Sequence, residues 1–282
     1  QQLPQGRPGM SIFAAGLAGA LTLAQLLARA GFGGMPSSAA DVKRFWDTLS
    51  PTERQQLLAA DPQLWGNTNG VPCVDRDYAN RIVLAAELGE LDAIFAQHGW
   101  PPPRSVEDIE SLTADQLFEL GWGPHPGDWI NLNEAGKEQC QSFKDALATA
   151  ATLRRAADGI PAFLYAYDSS AYHGEGRAAI AFGNPDLAED IAVCVPGLES
   201  RVSKIDQVGG DAYNLYLETR AADRSRSLAT IAWQGYDAPE FDNVMFQGNA
   251  DAGARLLAAD VSALNLTHTG GDPRITVVAH SY

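Results

Sequence analysis

The spacing of apolar residues divides the chain into a helical first part and a second part in which short strands alternate with helices. In the first part, apolar side chains recur at three- and four-residue intervals, as on one face of a helix. After Asp158-Gly159 the apolar runs become short, continuous and rich in Val, Ile and aromatic residues, which is typical of buried strands. The pattern predicts a helical N-terminal region, 1–158, followed by an α/β core, 159–282.

Local signals set the ends of the helices in the first part. Ser50-Pro51-Thr52-Glu53 is a capping box with proline at the first helical position. Asp61-Pro62 ends the helix that this box starts, because proline breaks a helix interior. Further helices are predicted over 75–95, 105–120 and 134–157.

Five apolar runs predict five strands in the second part. Continuous apolar strands that alternate with helices favour a mostly parallel sheet covered on both faces. The close spacing of the first two or three strands indicates an antiparallel start. A helix over 203–220, interrupted by Gly209-Gly210, and a second helix over 250–264 connect the later strands. The strands are expected at 163–167, 178–182, 191–195, 228–233 and 275–279.

The charge balance argues against nucleic acid as a partner. Asp and Glu number 35 and Lys and Arg number 20, giving a formal net charge of −15. Nucleic-acid binders and proteins attracted to anionic membranes use clustered basic residues, and the sequence has no such cluster. Phosphate-binding loops, zinc-ligand spacings and dinucleotide fingerprints are also missing from the sequence, so we predict neither a cofactor nor a metal.

The uncharged segment 11–28 leaves three interpretations open. Arg7 before it and Ala28-Arg29-Ala30 after it resemble a signal peptide with its cleavage site. Its length is at the lower limit for a membrane anchor. Apolar residues on several helical faces also fit a packed helix or contact with a protein or membrane partner, and we favour this interpretation. Localisation stays open between the cytoplasm and the cell envelope.

Two groups of reactive side chains are expected to be structural. Cys73, Cys140 and Cys194 allow one disulfide at most, with the pairing open, and Cys194 lies in an apolar run typical of a buried thiol. Asp75 and Asp77 are predicted to lie on a capped, solvated helix face rather than in a metal site.

The fifth predicted strand ends in a serine placed as in a nucleophile elbow. Ala279-His280-Ser281-Tyr282 supplies four positions of the pattern G-x-S-x-G, with alanine in the first glycine position. Small residues are needed there because the turn is strained and the backbone comes close. Ser281 is therefore the candidate nucleophile, and His280 is expected to pack beneath the turn.

The loop after the third predicted strand is a candidate for half of an oxyanion hole. In hydrolases of this kind, one donor N–H comes from this loop and the other from the residue after the nucleophile. The expected donors are therefore the backbone N–H groups of Leu198 and Tyr282. Gly197 would line the pocket and allow close approach to a substrate, although Pro196-Gly197 also fits a plain strand-to-helix turn.

Two residues after the fourth predicted strand are candidates for lining the pocket. Tyr236 and Asp237 follow the carboxyl end of that strand, which is the rim where such sites are built. For Asp237, a role in capping the turn fits equally well.

The motifs together resemble an actinobacterial family of predicted α/β-hydrolases that was long catalogued as a domain of unknown function. The resemblance covers about residues 42–282 and implies that Ser281 is the nucleophile. The family pattern has glycine where this chain has Ala279. The motifs that carry the resemblance are Phe45-Trp46, Leu49-Ser50-Pro51, 61–67, 70–72, 76–81, 183–186, 195–197, 233–239 and 280–282.

A complete catalytic triad is not found in the sequence. In the hydrolase order the serine comes first, then the acid and then the histidine. All five histidines of this sequence precede Ser281: His98, His125, His173, His268 and His280. We expect a serine hydrolase that acts on a carboxylic ester or related acyl bond of a small molecule or lipid, with Asp and His supplied beyond residue 282. The alternatives are a second chain that supplies them, or a non-catalytic subunit of a larger assembly.

Overall fold

The computed structural model describes residues 21–124, 134–156, 159–238 and 248–280, and in these ranges the chain forms ten α-helices and five strands. The helices are α1 Leu23–Arg29, α2 Ala39–Asp47, α3 Pro51–Ala60, α4 Pro62–Gly66, α5 Cys73–Gln97, α6 Val106–Glu110, α7 Ala114–Glu119, α8 Glu134–Arg154, α9 Ile205–Ala222 and α10 Gly248–Thr267. The strands are β1 Ala162–Asp168, β2 Arg177–Phe182, β3 Asp190–Val195, β4 Leu228–Gln234 and β5 Arg274–Ala279.

The five strands form one mixed sheet in the order β1-β2-β4-β3-β5. β2 runs antiparallel to both β1 and β4, whereas β3 runs parallel to both β4 and β5. The predicted antiparallel start is confirmed, and the sheet is mixed rather than purely parallel, because β2 alone runs against the direction of the other four strands. The short connection after β1 permits only an antiparallel pair, and the helical connections through α9 and α10 bring the later strands in parallel.

Successive side chains of each strand point to opposite faces of the sheet. On β2, Ala178, Ile180 and Phe182 pack in a core with helices α8 and α9, while Ala179 and Ala181 pack in a second core with α10. This two-residue alternation is the geometry of a pleated strand. Both faces are therefore covered, as expected for a sheet connected by helices.

The helices before the sheet have an aromatic core of their own. Leu26 and Leu27 of α1 are buried in one cluster with Phe45, Trp46 and Trp65. The described end of the apolar segment 11–28 is therefore packed against protein, and residues 11–20 lie outside the described residues. Among the described helices, none has the length and apolar character needed to cross a membrane. The domain boundary near residue 158 stays a prediction.

Two predicted helix boundaries need correction. The helix expected over 105–120 is two helices, α6 and α7, because Thr113 starts a new capping box with Gln116. The helix expected to be interrupted at Gly209-Gly210 runs without a break as α9. A Cβ at Gly209 would lie 2.4 Å from Thr152 Cγ2, so this glycine allows α9 to pack closely on α8.

The start of α5 is not the solvated face that the sequence predicts. Arg76 is fully buried; its Nε donates to the Gly66 carbonyl at 3.0 Å, and its guanidinium lies 3.8 Å above the Tyr165 ring. Asp75 accepts a hydrogen bond from the Trp46 indole at 2.6 Å. Charged residues at this position therefore join the helical region to the sheet.

Side chains of the helical region bind the outer backbone edge of β1. Asn67 Nδ2 donates to the Tyr167 carbonyl at 2.7 Å, and the Tyr167 N–H donates back to Asn67 Oδ1 at 3.1 Å. The Leu164 N–H donates to Asp77 at 2.6 Å, and its carbonyl accepts from Asn80 at 2.9 Å. The backbone N–H and carbonyl groups of Leu164 and Tyr167, which point away from β2, are thus hydrogen-bonded to side chains.

A buried acid lies between α8 and the turn that precedes α9. Asp145 is fully buried; its Oδ1 accepts from Gln141 Nε2 at 3.0 Å, and its Oδ2 has no partner among the described residues. Burial raises the pKa of Asp145 well above its usual value, and the nearby Glu87 raises it further, against the hydrogen bonds from Gln141 and the Ser203 N–H and the charge of Arg201.

This raised pKa predicts a stability penalty that grows with pH. At pH values between the pKa of Asp145 in the unfolded state and its higher pKa in the folded state, the folded state binds one more proton than the unfolded state. The free energy of unfolding therefore falls as pH rises through this range. Asparagine cannot titrate. The free energy of unfolding of Asp145→Asn, relative to the unsubstituted protein, is therefore expected to increase between about pH 5 and pH 8. Urea denaturation at both pH values measures this difference. The exposed Asp272→Asn is the control, and a difference that does not change with pH contradicts the prediction.

Candidate active site

The carboxyl ends of β3, β4 and β5 meet at one rim of the sheet. β3 lies between β4 and β5, and Val195 pairs with Ala279 at the end of the ladder. Beyond that pair, the His280 N–H donates to the Val195 carbonyl at 3.0 Å. The chain is thus held beside the loop after β3 up to the residue before Ser281. Ser281 and Tyr282 themselves lie outside the described residues.

The loop after β3 is held by hydrogen bonds from the end of β4. Tyr236 Oη donates to the Pro196 carbonyl at 3.0 Å, and Gln234 Nε2 donates to the Ser200 carbonyl at 3.2 Å. Within the loop, the Ser200 hydroxyl donates to the Gly197 carbonyl at 2.6 Å. Glu199 has a φ of 56°, a left-handed conformation that is uncommon for residues other than glycine and recurs at functional sites.

Two backbone donors of this loop are free to bind a ligand. In the described ranges, the N–H groups of Gly197 and Leu198 donate no hydrogen bond. Gly197 is buried and Leu198 is half-buried, so both groups sit in the wall of the site rather than at its outer surface. Unpaired N–H groups beside the end of β5 are the donors that an oxyanion hole requires.

An apolar cleft of about 220 Å³ opens on one side of this loop. Trp233 and Tyr236 form its floor as a stacked pair, with ring centroids 5.9 Å apart. Helix α10 forms the opposite wall. The residues that line the cleft are Val195, Pro196, Trp233, Tyr236, Ala250, Gly253, Ala254, Leu257, Ala279 and His280.

A more polar cleft of about 460 Å³ lies on the other side of the loop. Its wall is formed by the loop, including Gly197 and Leu198, by Lys204 just before α9, and by Gln207 and Asp211 in the first turns of α9. His280 lines both clefts and is exposed among the described residues, whereas the turn beneath which it is expected to pack lies outside them. An exposed histidine follows from the position of β5 at the edge of the described sheet.

Of the two residues after β4 that were predicted to line the pocket, one lines a cleft and the other does not. Tyr236 lines the apolar cleft, and its ring is buried. Asp237 is exposed and lines neither of the two clefts.

A buried ion cluster supports the floor of the apolar cleft from behind. Asp260 of α10 accepts from Trp233 Nε1 at 2.8 Å, from Arg177 at 3.0 Å and from Asn69 at 2.9 Å. Burial works to raise the pKa of Asp260, but the charges of Arg177 and Arg76 and these hydrogen bonds outweigh it and lower the pKa. The carboxylate therefore stays ionised and fixes the indole.

The other described histidines are bound into local structure away from this rim. His98 stacks on Trp100, with ring centroids 4.7 Å apart. His268 contacts the Ala188 and Gly271 carbonyls through its two ring nitrogens, at 3.0 and 2.6 Å. His125 and the side chain of His173 lie outside the description. Within the described ranges, no three His, Cys, Asp or Glu residues are grouped to hold a metal. The three cysteines are free, and Cys194 is buried as predicted.

Sequence reasoning missed the polar residues that build this rim. Gln234 is buried at the end of an apolar strand, and Asp260 is buried on the face of α10 that packs on the sheet, whereas Leu256 is exposed. The signal was present in the helical spacing, because Gly253, Asp260 and Leu264 recur on one face at intervals of seven and four residues. Nothing in the local sequence shows that Asp260 meets two arginines.

Comparison with known proteins gives a family match for the part of the chain that carries the rim. Residues 172–282 match the model of a family described as alpha/beta hydrolase. Uncharacterized protein Rv2079 of Mycobacterium tuberculosis is 35% identical over 254 residues, which cover 87% of this chain and 36% of that protein. Uncharacterized protein Rv0963c of the same organism and Uncharacterized protein Mb0988c of Mycobacterium bovis are each 33% identical over 115 residues, 37% of this chain and 42% of each protein.

These matches have defined limits. The chain spans 36% of the length of the curated relative that it matches over most of its own residues. No solved structure matches the chain. The matched segment contains strands β2 to β5 and both clefts. Residues 172–282 thus match an alpha/beta hydrolase family, which supports a hydrolase fold for this part of the chain.

Proposed function

We propose that the protein is a serine hydrolase that cleaves a carboxylic ester or related acyl bond with Ser281 as nucleophile. The Ser281 hydroxyl attacks the carbonyl carbon and gives its proton to a base, and the oxyanion forms. The ester C–O bond then breaks, the alcohol leaves with that proton, and water hydrolyses the acyl-enzyme. The N–H groups of Leu198 and Tyr282 hold the oxyanion.

The observation that most directly supports the proposal is the hydrogen bond between the His280 N–H and the Val195 carbonyl, at 3.0 Å. It fixes the chain one residue before Ser281 against the loop that carries the unpaired N–H groups of Gly197 and Leu198. In an α/β-hydrolase the same juxtaposition brings the nucleophile to its oxyanion donors. We propose that the acid and the histidine come from beyond residue 282, in keeping with the hydrolase order of serine, acid and histidine.

A fluorophosphonate probe tests the proposal on the full-length protein. The probe reacts with a serine only when a base activates that serine. We expect intact mass spectrometry to show one adduct, peptide mapping to assign it to Ser281, and Ser281→Ala to stay unmodified.

A folded protein that takes up no probe would contradict the proposal. That result would favour the non-catalytic alternative, in which the hydrolase fold serves as an interaction or structural subunit. Labelling of a different serine would equally remove Ser281 from the nucleophile role.

A further inference from the structure

We propose that the contact between α8, the β1–β2 turn and the segment 201–204 is a proton-sensitive latch, which is closed while Asp145 carries a proton and opens when Asp145 ionises. The latch consists of Gln141 and Asp145 of α8, Glu175 and Gly176 of the turn, and residues 201–204 just before α9. The proposal does not depend on the hydrolase activity. It adds a response to pH that is confined to one part of the fold.

Hydrogen bonds connect the three parts of the latch. Gln141 Nε2 donates to Asp145 Oδ1 at 3.0 Å and to Ser203 Oγ at 2.9 Å, so it connects α8 to the segment before α9. The Val202 N–H donates to the Glu175 carbonyl at 3.0 Å and connects that segment to the β1–β2 turn. The segment is therefore held from two sides.

The second oxygen of Asp145 is packed against carbon atoms of the turn. A Cβ built on Gly176 would lie 2.3 Å from Asp145 Oδ2 and 2.9 Å from Val202 Cβ, so the backbone of the turn directly covers this oxygen. Oδ2 has no hydrogen-bond partner among the described residues. An ionised carboxylate is costly in such a place, whereas a protonated carboxyl group is neutral and loses much less on burial. The packing therefore favours the protonated form while the latch is closed.

A second acid, Glu87 of α5, acts on Asp145 from the side of β1. Its carboxylate accepts from Ser169 Oγ at 2.6 Å and from the Tyr167 hydroxyl. The negative charge of Glu87 disfavours ionisation of Asp145. Tyr167 stays neutral, because burial raises its pKa well above the usual value. The neighbouring groups of α5 and β1 thus supply no positive charge that would stabilise the carboxylate.

The positive charge that acts on Asp145 comes from Arg201 at the start of the segment. Arg201 also lies 3.8 Å from the Glu175 carboxylate, so its charge is shared with another acid. The Gln141 side chain and the Ser203 N–H favour the ionised form as well. Burial is nevertheless the largest effect, and the pKa of Asp145 is raised well above its usual value.

Ionisation of Asp145 therefore favours the open form of the latch. In the open form the carboxyl group is in water and has an ordinary pKa, about 3.9 for aspartate. At pH values between this pKa and the raised pKa of the closed form, the closed form binds one more proton than the open form. Each pH unit in this range therefore raises the equilibrium constant for opening by up to about tenfold. A local opening of this kind leaves the rest of the fold intact.

Hydrogen–deuterium exchange of the Val202 amide tests the latch in the full-length protein, because this N–H is released when the segment leaves the turn. Exchange is expressed as a protection factor, which corrects for the effect of pH on exchange of an unfolded chain. We expect the protection factor of Val202 to fall at least about tenfold between pH 5 and pH 7. Ile231 in the central strand β4 is the internal reference, and it is expected to be at least about tenfold better protected than Val202 at pH 7.

Two matched variants assign the effect to Asp145. Asparagine cannot ionise, so in Asp145→Asn the protection factor of Val202 is expected to change by less than about twofold over the same pH range. Asp206→Asn removes an exposed acid in the first turn of α9 and is expected to keep the fall seen in the unsubstituted protein. Asp145→Ser takes the place of Asp145→Asn if circular dichroism shows that the asparagine variant does not fold.

The possible results divide clearly. A fall at Val202 that Asp145→Asn abolishes and Asp206→Asn keeps supports the latch. A protection factor that does not change with pH, or an equal fall in Asp145→Asn, overturns it. Equal protection factors for Val202 and Ile231 overturn it too, because both amides would then exchange only through unfolding of the whole protein.

Discussion

Replacing Ser281 by alanine in the full-length protein is expected to lower kcat/KM for p-nitrophenyl butyrate by at least about 10³-fold. Under the proposed function the side chain forms the covalent intermediate, so its loss removes the acylation route altogether. Residual turnover is expected to remain above the rate in water, because oxyanion donors and substrate binding still act without the nucleophile. Steady-state hydrolysis followed at the nitrophenolate absorbance measures the change.

The control for this experiment is a serine away from the rim. Ser262 is an exposed residue on α10 whose hydroxyl donates to the Ala258 carbonyl at 2.7 Å, and Ser262→Ala is expected to keep the activity of the unsubstituted protein. Equal rates for Ser281→Ala and Ser262→Ala would mean that another group performs the hydrolysis.

Replacing Asp260 by alanine is expected to lower the free energy of unfolding by about 3–5 kcal/mol. Asp260 is the counter-charge of Arg177, 3.0 Å away, and it lowers the electrostatic cost of the fully buried Arg76. Alanine leaves the mostly buried Arg177 without this counter-charge and takes one negative charge away from Arg76, and it also removes the acceptor for the Trp233 indole. Breaking a buried pair from one side is costly for this reason.

Chemical denaturation followed by circular dichroism measures this loss. Asp260→Asn keeps an oxygen acceptor and is expected to destabilise less than alanine. The exposed Asp272→Ala removes the same charge at the surface, and its effect is expected to stay within about 0.5 kcal/mol. If Asp260→Ala cost no more than this control, the cluster would not anchor α10 to the sheet.

The parts of the fold that depend on local signals could be predicted from the sequence. The capping box from Ser50 to Glu53 is present with both of its hydrogen bonds, and five strands occur where five apolar runs predicted them. The break between α6 and α7 was also readable, because Thr113 and Gln116 have capping-box spacing. These features are set by neighbours within a few residues.

Features set by distant residues could not be predicted in the same way. Arg76 lies between two aspartates in the sequence, and its burial depends on the Tyr165 ring, the Gly66 carbonyl and the Asn69 side-chain oxygen. The order of strands likewise depends on contacts between segments far apart in the chain. At the candidate site, the loop after β3 could be recognised from its sequence. The carboxylate that accepts the hydrogen bond of the Trp233 indole belongs to Asp260 of α10, and this contact could not be predicted.

The side chains on the outer edge of β1 also bear on how the protein behaves at high concentration. An exposed strand edge with free N–H and carbonyl groups is a template on which a second molecule can add a strand, and this addition can continue into aggregates. Asn67, Asp77 and Asn80 already occupy the groups of Tyr167 and Leu164 that such a strand would need. Because the amides and carboxylates come from helices packed on β1, the protection persists only while those helices are docked. Loss of the helical region would thus turn this edge into a surface for self-association.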